Sequence, residues 1–256
     1  MGFPNLMMSS SIETPPFDPS LDLSLSYSRN TPFTADVQDI DLTPDNRMLI
    51  MYENSVDQRL EQYDLSPFNT TSMVTSHTFV MPSVISSNRN SKAARYNNNK
   101  LFYQVNTTMY SHDLTVAYDI SVRTNQQSIV IARLSAFEFN SDTKFITVNN
   151  AIYLYTLSTA WDIMTATLTY TNSTFTITTS IEAITISQDL YMYASHYNST
   201  TTSERITRFD LVSWDITTVT NTLSFNPLVY PPIFRYIESQ DKFFNYNQLR
   251  EYDVIS

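Results

Sequence analysis

Ile152-Tyr-Leu-Tyr-Thr-Leu-Ser-Thr-Ala-Trp-Asp-Ile-Met-Thr-Ala-Thr, preceded by Phe139-Asn-Ser-Asp-Thr-Lys-Phe-Ile, is the best-formed copy of a pattern that recurs along this chain. Its marker is an aromatic residue followed by an acid or amide: Phe17-Asp18, Phe68-Asn69, Tyr118-Asp119, Trp161-Asp162 and Trp214-Asp215. A second marker is the residue that follows each expected hairpin turn. It falls at Arg47, Lys100, Lys144, Leu190 and Lys242, spaced by 53, 44, 46 and 52 residues. Repeats of roughly 40 to 50 residues that read as short strands point to the blades of a β-propeller, because a single blade cannot bury both its faces.

The fifth copy, from Phe234, ends at Tyr252-Asp-Val-Ile-Ser, just before its aromatic pair is due. The missing piece stands at the front. Phe17-Asp-Pro-Ser-Leu-Asp-Leu-Ser-Leu-Ser-Tyr-Ser reads like Trp161-Asp-Ile-Met-Thr-Ala-Thr-Leu-Thr-Tyr-Thr, and Phe17 precedes Asp45 by the same 28 residues that separate Trp161 from Asp189. The expected fold is therefore all-β: a five-bladed β-propeller over residues 15–256, its last blade completed by the N-terminal strand, with residues 1–14 as an N-terminal arm. Such closure protects sheet edges. Deleting residues 17–28 is expected to destabilise the whole ring more than a terminal trim ordinarily does.

Composition agrees with this reading. Thr, Val, Ile, Tyr and Phe suit pleated, half-buried surfaces. Period-two alternation is plain in Leu168-Thr-Tyr-Thr, Phe175-Thr-Ile-Thr, Ile184-Thr-Ile-Ser and Leu21-Asp-Leu-Ser-Leu-Ser-Tyr-Ser. No sustained helical stripe is present, so helix should be nearly absent. The sole glycine is Gly2. Asparagine is expected to take the left-handed turn positions in its place, at Asn46, Asn98, Asn99, Asn149 and Asn150.

Function classes narrow as follows. The absence of cysteine excludes a disulfide framework and thiolate metal sites. No signal-peptide pattern and no apolar run long enough to cross a bilayer is read, so synthesis in a cytoplasm without membrane insertion is expected. A formal charge of −10 argues against binding a nucleic-acid backbone. The basic run Arg89, Lys92, Arg95 reads as a solvated loop. His77, His112 and His196 lack zinc spacing, and with one glycine there is neither a nucleophile elbow nor a phosphate loop. No metal, cofactor or catalytic residue is assigned, and the protein is read as not an enzyme. The aromatic-acid pairs read as turn caps, the carboxylate accepting backbone N–H groups while the aromatic packs between blades. Five-bladed glycosidases use a carboxylate pair. Regular repetition, however, does not supply the few unlike residues such a centre needs, so that reading ranks third. Sequons at Asn69, Asn106, Asn172 and Asn198 are as many as chance gives in so Asn-, Ser- and Thr-rich a chain.

Binding is expected in loops that vary while the core repeats: Glu53 to Arg59, Ser86 to Tyr96 and Ser195 to Glu204. The last places His196, Tyr197 and Asn198 together as the candidate ligand site, with rings to stack on a sugar and an amide to hydrogen-bond it. A polar hairpin tip is its plain structural reading.

The run Tyr155-Thr-Leu-Ser-Thr-Ala-Trp-Asp-Ile resembles the Tyr-x-Leu-Ser-Thr-x-Trp-Asp-Ile repeat of propeller-like regions in bacteriophage virion proteins and large bacterial surface proteins. The likeness is specific in the third copy, partial in the first, second and fourth, and weak in the fifth. It departs from the pattern in lacking glycine after the turn Asp and Trp in three blades. The resemblance implies a virion-surface or extracellular recognition role and transfers no catalytic residue. The expected partners are other virion proteins, in a tail- or capsid-associated assembly, or a host surface glycan, with Met1 to Thr14 docking on a neighbouring subunit. A lectin-like carbohydrate-binding propeller is the alternative.

Overall fold

Strand β1 (Leu23–Ser28) pairs antiparallel with the last strand of the chain, β20 (Arg250–Val254). The structure is a computed structural model that describes residues 23–28, 36–43, 47–53, 58–64, 74–80, 94–97, 99–131, 136–149, 151–172, 180–186, 191–198, 203–212, 215–225, 234–237, 242–245 and 250–254. Among these residues the strands form four-stranded antiparallel sheets in simple up-and-down order. Sheet I holds β2 (Asp36–Leu42), β3 (Arg47–Glu53), β4 (Gln58–Asp64) and β5 (Val74–Val80). Sheet II holds β6 (Ala94–Asn97), β7 (Lys100–Val105), β8 (Thr108–Leu114) and β9 (Arg123–Val130). In sheet III are β10 (Ala136–Ser141), β11 (Lys144–Val148), β12 (Ile152–Leu157) and β13 (Ala166–Asn172). Sheet IV comprises β14 (Ser180–Ile186), β15 (Tyr191–Asn198), β16 (Ser203–Val212) and β17 (Asp215–Phe225). Sheet V comprises β18 (Phe234–Ile237), β19 (Lys242–Asn245), β20 and, on its far side, β1. The helical residues described are two 3₁₀ turns, Ile120–Val122 and Ile163–Thr165.

Strand register shows how closely the sheets repeat. Each second strand faces its third through the same rung: Arg47 with Asp64, Lys100 with Asp113, Lys144 with Thr156, Tyr191 with Asp210 and Lys242 with Asp253. The fourth marker is thus Tyr191, one residue beyond the expected Leu190. Each third strand meets the outer strand through a register break at an equivalent place, Gln62/Tyr63, Ser111/Asp113, Leu154/Tyr155 and Arg208/Phe209, and sheet IV has a second break between Asp210 and Val212. In sheet V the same break lies between Glu251 and Tyr252, opposite Tyr27 and Leu25 of β1. The N-terminal strand therefore holds the place of β5, β9, β13 and β17, bulge included. A bulge bends its strand and increases the local twist, which suits an outer strand.

Alternation along β7 shows why one repeat cannot stand alone. Leu101, Tyr103 and Val105 pack with Leu49, Met51 and Leu60 of sheet I. Phe102, pointing the other way, packs with Phe137, Phe139 and Phe145 of sheet III. Sheet III repeats the division, since Ile146 and Val148 join Ile184, Met192 and Ala194 of sheet IV. Each face is buried only against a neighbour, and removing one such buried phenyl costs about 3–5 kcal/mol. At the innermost edges, β2 lies beside β6 and β18, and β14 lies beside β10 and β18.

Left-handed backbone falls elsewhere than expected. Among the described residues φ is positive at Asn106, Asn125, Tyr118 and Trp161, with values of 54°, 49°, 60° and 59°. Asn106 opens the two-residue turn between Val105 and Thr108, where hairpin twist demands positive φ. Asn125 sits in the bulge of β9. Asparagine does replace glycine, but at these two sites rather than at Asn149, and the φ of Asn99 rests on Asn98. Asn46, Asn98 and Asn150 lie outside the described residues.

Candidate functional site

The first strand of every sheet carries one residue opposite the second residue beyond its marker. That rung holds Asp41, Arg95, Glu138, Thr185 and Arg235 in sheets I to V. Four of these side chains are described, and all four are buried. The sequence thus places acids and bases at equivalent positions on strands that neighbour one another.

Arg95 is the hub. Its Nη1 donates to Asp39 Oδ2 of β2, and its Nε donates to Glu138 Oε2 of β10 at 2.8 Å. Nη2 donates to the Ile184 carbonyl of β14 at 3.2 Å. One guanidinium therefore ties together the innermost strands of four sheets. Arg95 is 2% exposed, Asp39 0% and Glu138 8%. Its carbon end lies 5.9 Å from the centroid of the Phe137 ring, and Glu138 Oε1 accepts the Phe139 N–H at 3.3 Å. Reading Arg95 as part of a solvated basic loop is corrected here. Its β-strand places it inward, where a planar fork of donors matches two carboxylates and a carbonyl at once. Arg89 and Lys92 lie outside the described residues. A guanidinium fills the space between the two carboxylates, and the described residues offer no cluster of His, Asp and Glu that could hold a metal ion.

A second polar cluster lies between sheets I and II. Tyr103 stacks on Tyr110 and on His112, with centroids 5.1 and 5.7 Å apart, and its hydroxyl lies 3.2 Å from His112 Nε2. Phe79 of β5 meets both Tyr103 and His112 edge-on, and the Arg123 guanidinium covers the Phe79 ring at 3.8 Å. Burial, reinforced by the Arg123 charge, pushes the His112 pKa down to about 4. Burial pushes the Tyr103 hydroxyl well above the usual phenol range. On the rim of this cluster, hydrogen bonds from Lys100 and Asn125 hold Asp113 below the usual carboxylate range. His112 is neutral near pH 7 and acts as a packed aromatic. Tyr63, Tyr155, Phe209 and Tyr252 hold its rung in the other sheets.

Two of the aromatic-acid pairs are described, and both are turns. Asp119 Oδ1 accepts the Ser121 N–H at 2.8 Å, and Asp162 Oδ1 accepts the Met164 N–H at 3.0 Å, each capping a 3₁₀ turn. The preceding Tyr118 and Trp161 carry the positive φ, and the Trp161 N–H donates to the Asp142 carbonyl at 2.8 Å. Trp161 packs 5.2 Å from Phe139 and 6.3 Å from Phe102 of sheet II, so the aromatic fastens its own turn to the preceding sheet. Asp215 opens β17, while Phe17-Asp18, Phe68-Asn69 and Trp214 lie outside the described residues.

His196, Tyr197 and Asn198 are the last three residues of β15, paired with Arg205, Glu204 and Ser203 of β16. The segment expected as a loop from Ser195 is thus mostly ladder, because the strand-favouring run Tyr191-Met-Tyr-Ala-Ser-His-Tyr carries the hairpin outward. Its tip, 199–202, and the three side chains lie outside the described residues. The other two expected loops shorten likewise. Glu53 ends β3 and Gln58 begins β4, while Ala94 to Asn97 form β6.

No family model matches the sequence, and no curated protein matches it. Among solved structures, the crystal structure of a protein from Lactobacillus plantarum, a structural-genomics target, matches 87% of this chain and 67% of its own. The sequence identity is 14% and the TM-score 0.49.

Proposed function

We propose that the chain is a five-bladed β-propeller whose last blade is closed by β1, and that it serves as a non-enzymatic scaffold in a larger assembly. The assembly is a phage-type virion in which the propeller contacts neighbouring subunits or a host surface. The observation that carries this reading is Arg95. A side chain that joins four sheets through buried charge makes the middle of the ring a fastener, leaving the periphery to meet partners. The neighbour relations of the innermost strands favour a ring: β2 with β6 and β18, β14 with β10 and β18. Arg95 to Glu138 spans the remaining boundary. The repeat around Trp161 adds the virion context through its resemblance to phage proteins. A rigid ring with polar edges can hold recognition loops in fixed geometry. Quantitative mass spectrometry of purified particles tests the reading. Co-purification in fixed stoichiometry supports it, and recovery only as free protein defeats it.

A further inference from the structure

His112 breaks the repeat at a rung where the other sheets carry Tyr63, Tyr155, Phe209 and Tyr252, so a titratable base stands there in sheet II alone. Arg123 departs from the repeat beside it. It stands opposite Leu114, where sheet III has Ala166 opposite Leu157. Both departures fall on one ring of sheet I. Phe79 of β5 meets the His112 ring edge-on at 5.7 Å, and the Arg123 guanidinium covers the same Phe79 ring at 3.8 Å.

Arg123 also helps to hold this boundary together. Its Nη1 donates to the carbonyl of Ile120, the buried first residue of a 3₁₀ turn that packs against β5. The Ile120 N–H donates in turn to Gln62 Oε1 of β4 at 3.1 Å. Sheets I and II are thus joined here through a cation that shares Phe79 with a neutral imidazole. The other surroundings of His112 offer no second anion. β7 presents the Tyr103 hydroxyl, 3.2 Å from Nε2, β9 presents Arg123, β5 presents Phe79, and β8 itself carries Tyr110 and Asp113. Asp113 is engaged by Lys100 and Asn125.

We propose that His112 is an acid-operated latch: protonating its imidazole sets a second cation beside Arg123 around Phe79, and β5 parts from sheet II while the other sheet boundaries stay closed. Two like charges repel strongly where water is excluded. The proton also occupies the nitrogen lone pair that faces the Tyr103 hydroxyl. Burial, reinforced by the Arg123 charge, holds the closed-state pKa of His112 at about 4, against 6.5 for a ring open to water. Between these values the open form binds a proton that the closed form does not. Opening therefore grows by about tenfold for each unit that pH falls, and levels off below the closed-state pKa. Asp113, held below the usual carboxylate range by Lys100 and Asn125, stays ionised through this window and keeps those bonds. The latch does not depend on the virion reading.

Hydrogen exchange of the full chain tests it, read by mass spectrometry between pH 6.5 and 4 and corrected for the intrinsic pH dependence of exchange. Peptides covering β5 and Ile120–Val122 are expected to lose protection by about tenfold per pH unit, and peptides covering β11 and β12 of sheet III to lose less. In His112→Tyr, which restores the residue type of the other sheets, the excess loss should vanish. Arg123→Gln removes the neighbouring charge and raises the closed-state pKa, so the loss should level off at a higher pH; this variant decides the matter if His112→Tyr does not fold. Equal loss in all sheets overturns the proposal. So does β5 protection that is flat with pH, an undiminished loss in His112→Tyr, or a loss in Arg123→Gln that levels off where the wild type's does.

Discussion

Arg95 Nε lies 2.8 Å from Glu138 Oε2 across the boundary between sheets II and III, although the two residues are 43 apart in the chain. Removing one partner of such a pair strands the other in a dry interior. Arg95→Met is expected to cost about 3–5 kcal/mol in urea unfolding, because Asp39 and Glu138 then keep their burial without their cation. Combining Arg95→Met with Glu138→Gln should cost less than the sum of the single changes, by roughly 1 kcal/mol or more. Strict additivity would mean that the two side chains do not interact.

The capping role of the repeated acid is tested at Asp162. Its carboxylate accepts one backbone N–H, from Met164, in an exposed turn. Asp162→Ala should lower stability by about 1 kcal/mol, as loss of a cap does, and Asp162→Asn by only a few tenths. Asn69 stands at this place in the first copy, in line with an amide serving as cap. A loss several times larger for Asp162→Asn would show that the charge itself matters.

His112 gives the fold a defined response to acid. Its pKa falls from 6.5 to about 4 on folding. Between those values the unfolded chain binds a proton that the folded chain does not, so stability declines as pH falls through this window and the His112 contribution levels off below it. Every other sheet has Tyr or Phe at this rung, so His112→Tyr should fold. Subtracting its stability from that of the wild type at each pH isolates the imidazole. The variant is expected to gain on the wild type from pH 6.5 down to 4, and a difference that is flat with pH would contradict the assignment.

Much of this architecture is legible in local patterns. Lys100 and Lys144 begin second strands as the repeat requires, and Leu23 to Ser28 alternate as β1 does. The aromatic-acid pairs announce their turns because capping acts over two residues. What stays hidden depends on distance in sequence. Arg95 meets partners 56, 43 and 89 residues away, so its own neighbourhood, with Arg89 and Lys92, suggests only a basic loop. Once the strands are in register, part of the signal is visible: Arg95 and Glu138 hold the same rung of their sheets, where sheet I has Asp41, whereas the carboxylate that Arg95 meets in sheet I is Asp39, two residues earlier. The reach of the β15–β16 hairpin was hidden for another reason. Ser, Thr and Asn are common both in these strands and in turns, so composition alone does not mark where pairing ends at Asn198 and Ser203.

The central claim is that the chain fastens its last sheet with its own first strand, and β1 against β20 is where to test it. Ser24 lies directly opposite Asp253, and the protein has no cysteine of its own. Opposed residues in an antiparallel pair have Cα atoms about 4.5–5.5 Å apart, within the span a disulfide bridges. Non-reducing electrophoresis and thermal melting of Ser24→Cys/Asp253→Cys after mild oxidation should show one intramolecular cross-link and a raised melting temperature. Free thiols, or cross-links only between molecules, would contradict closure by the N-terminal strand.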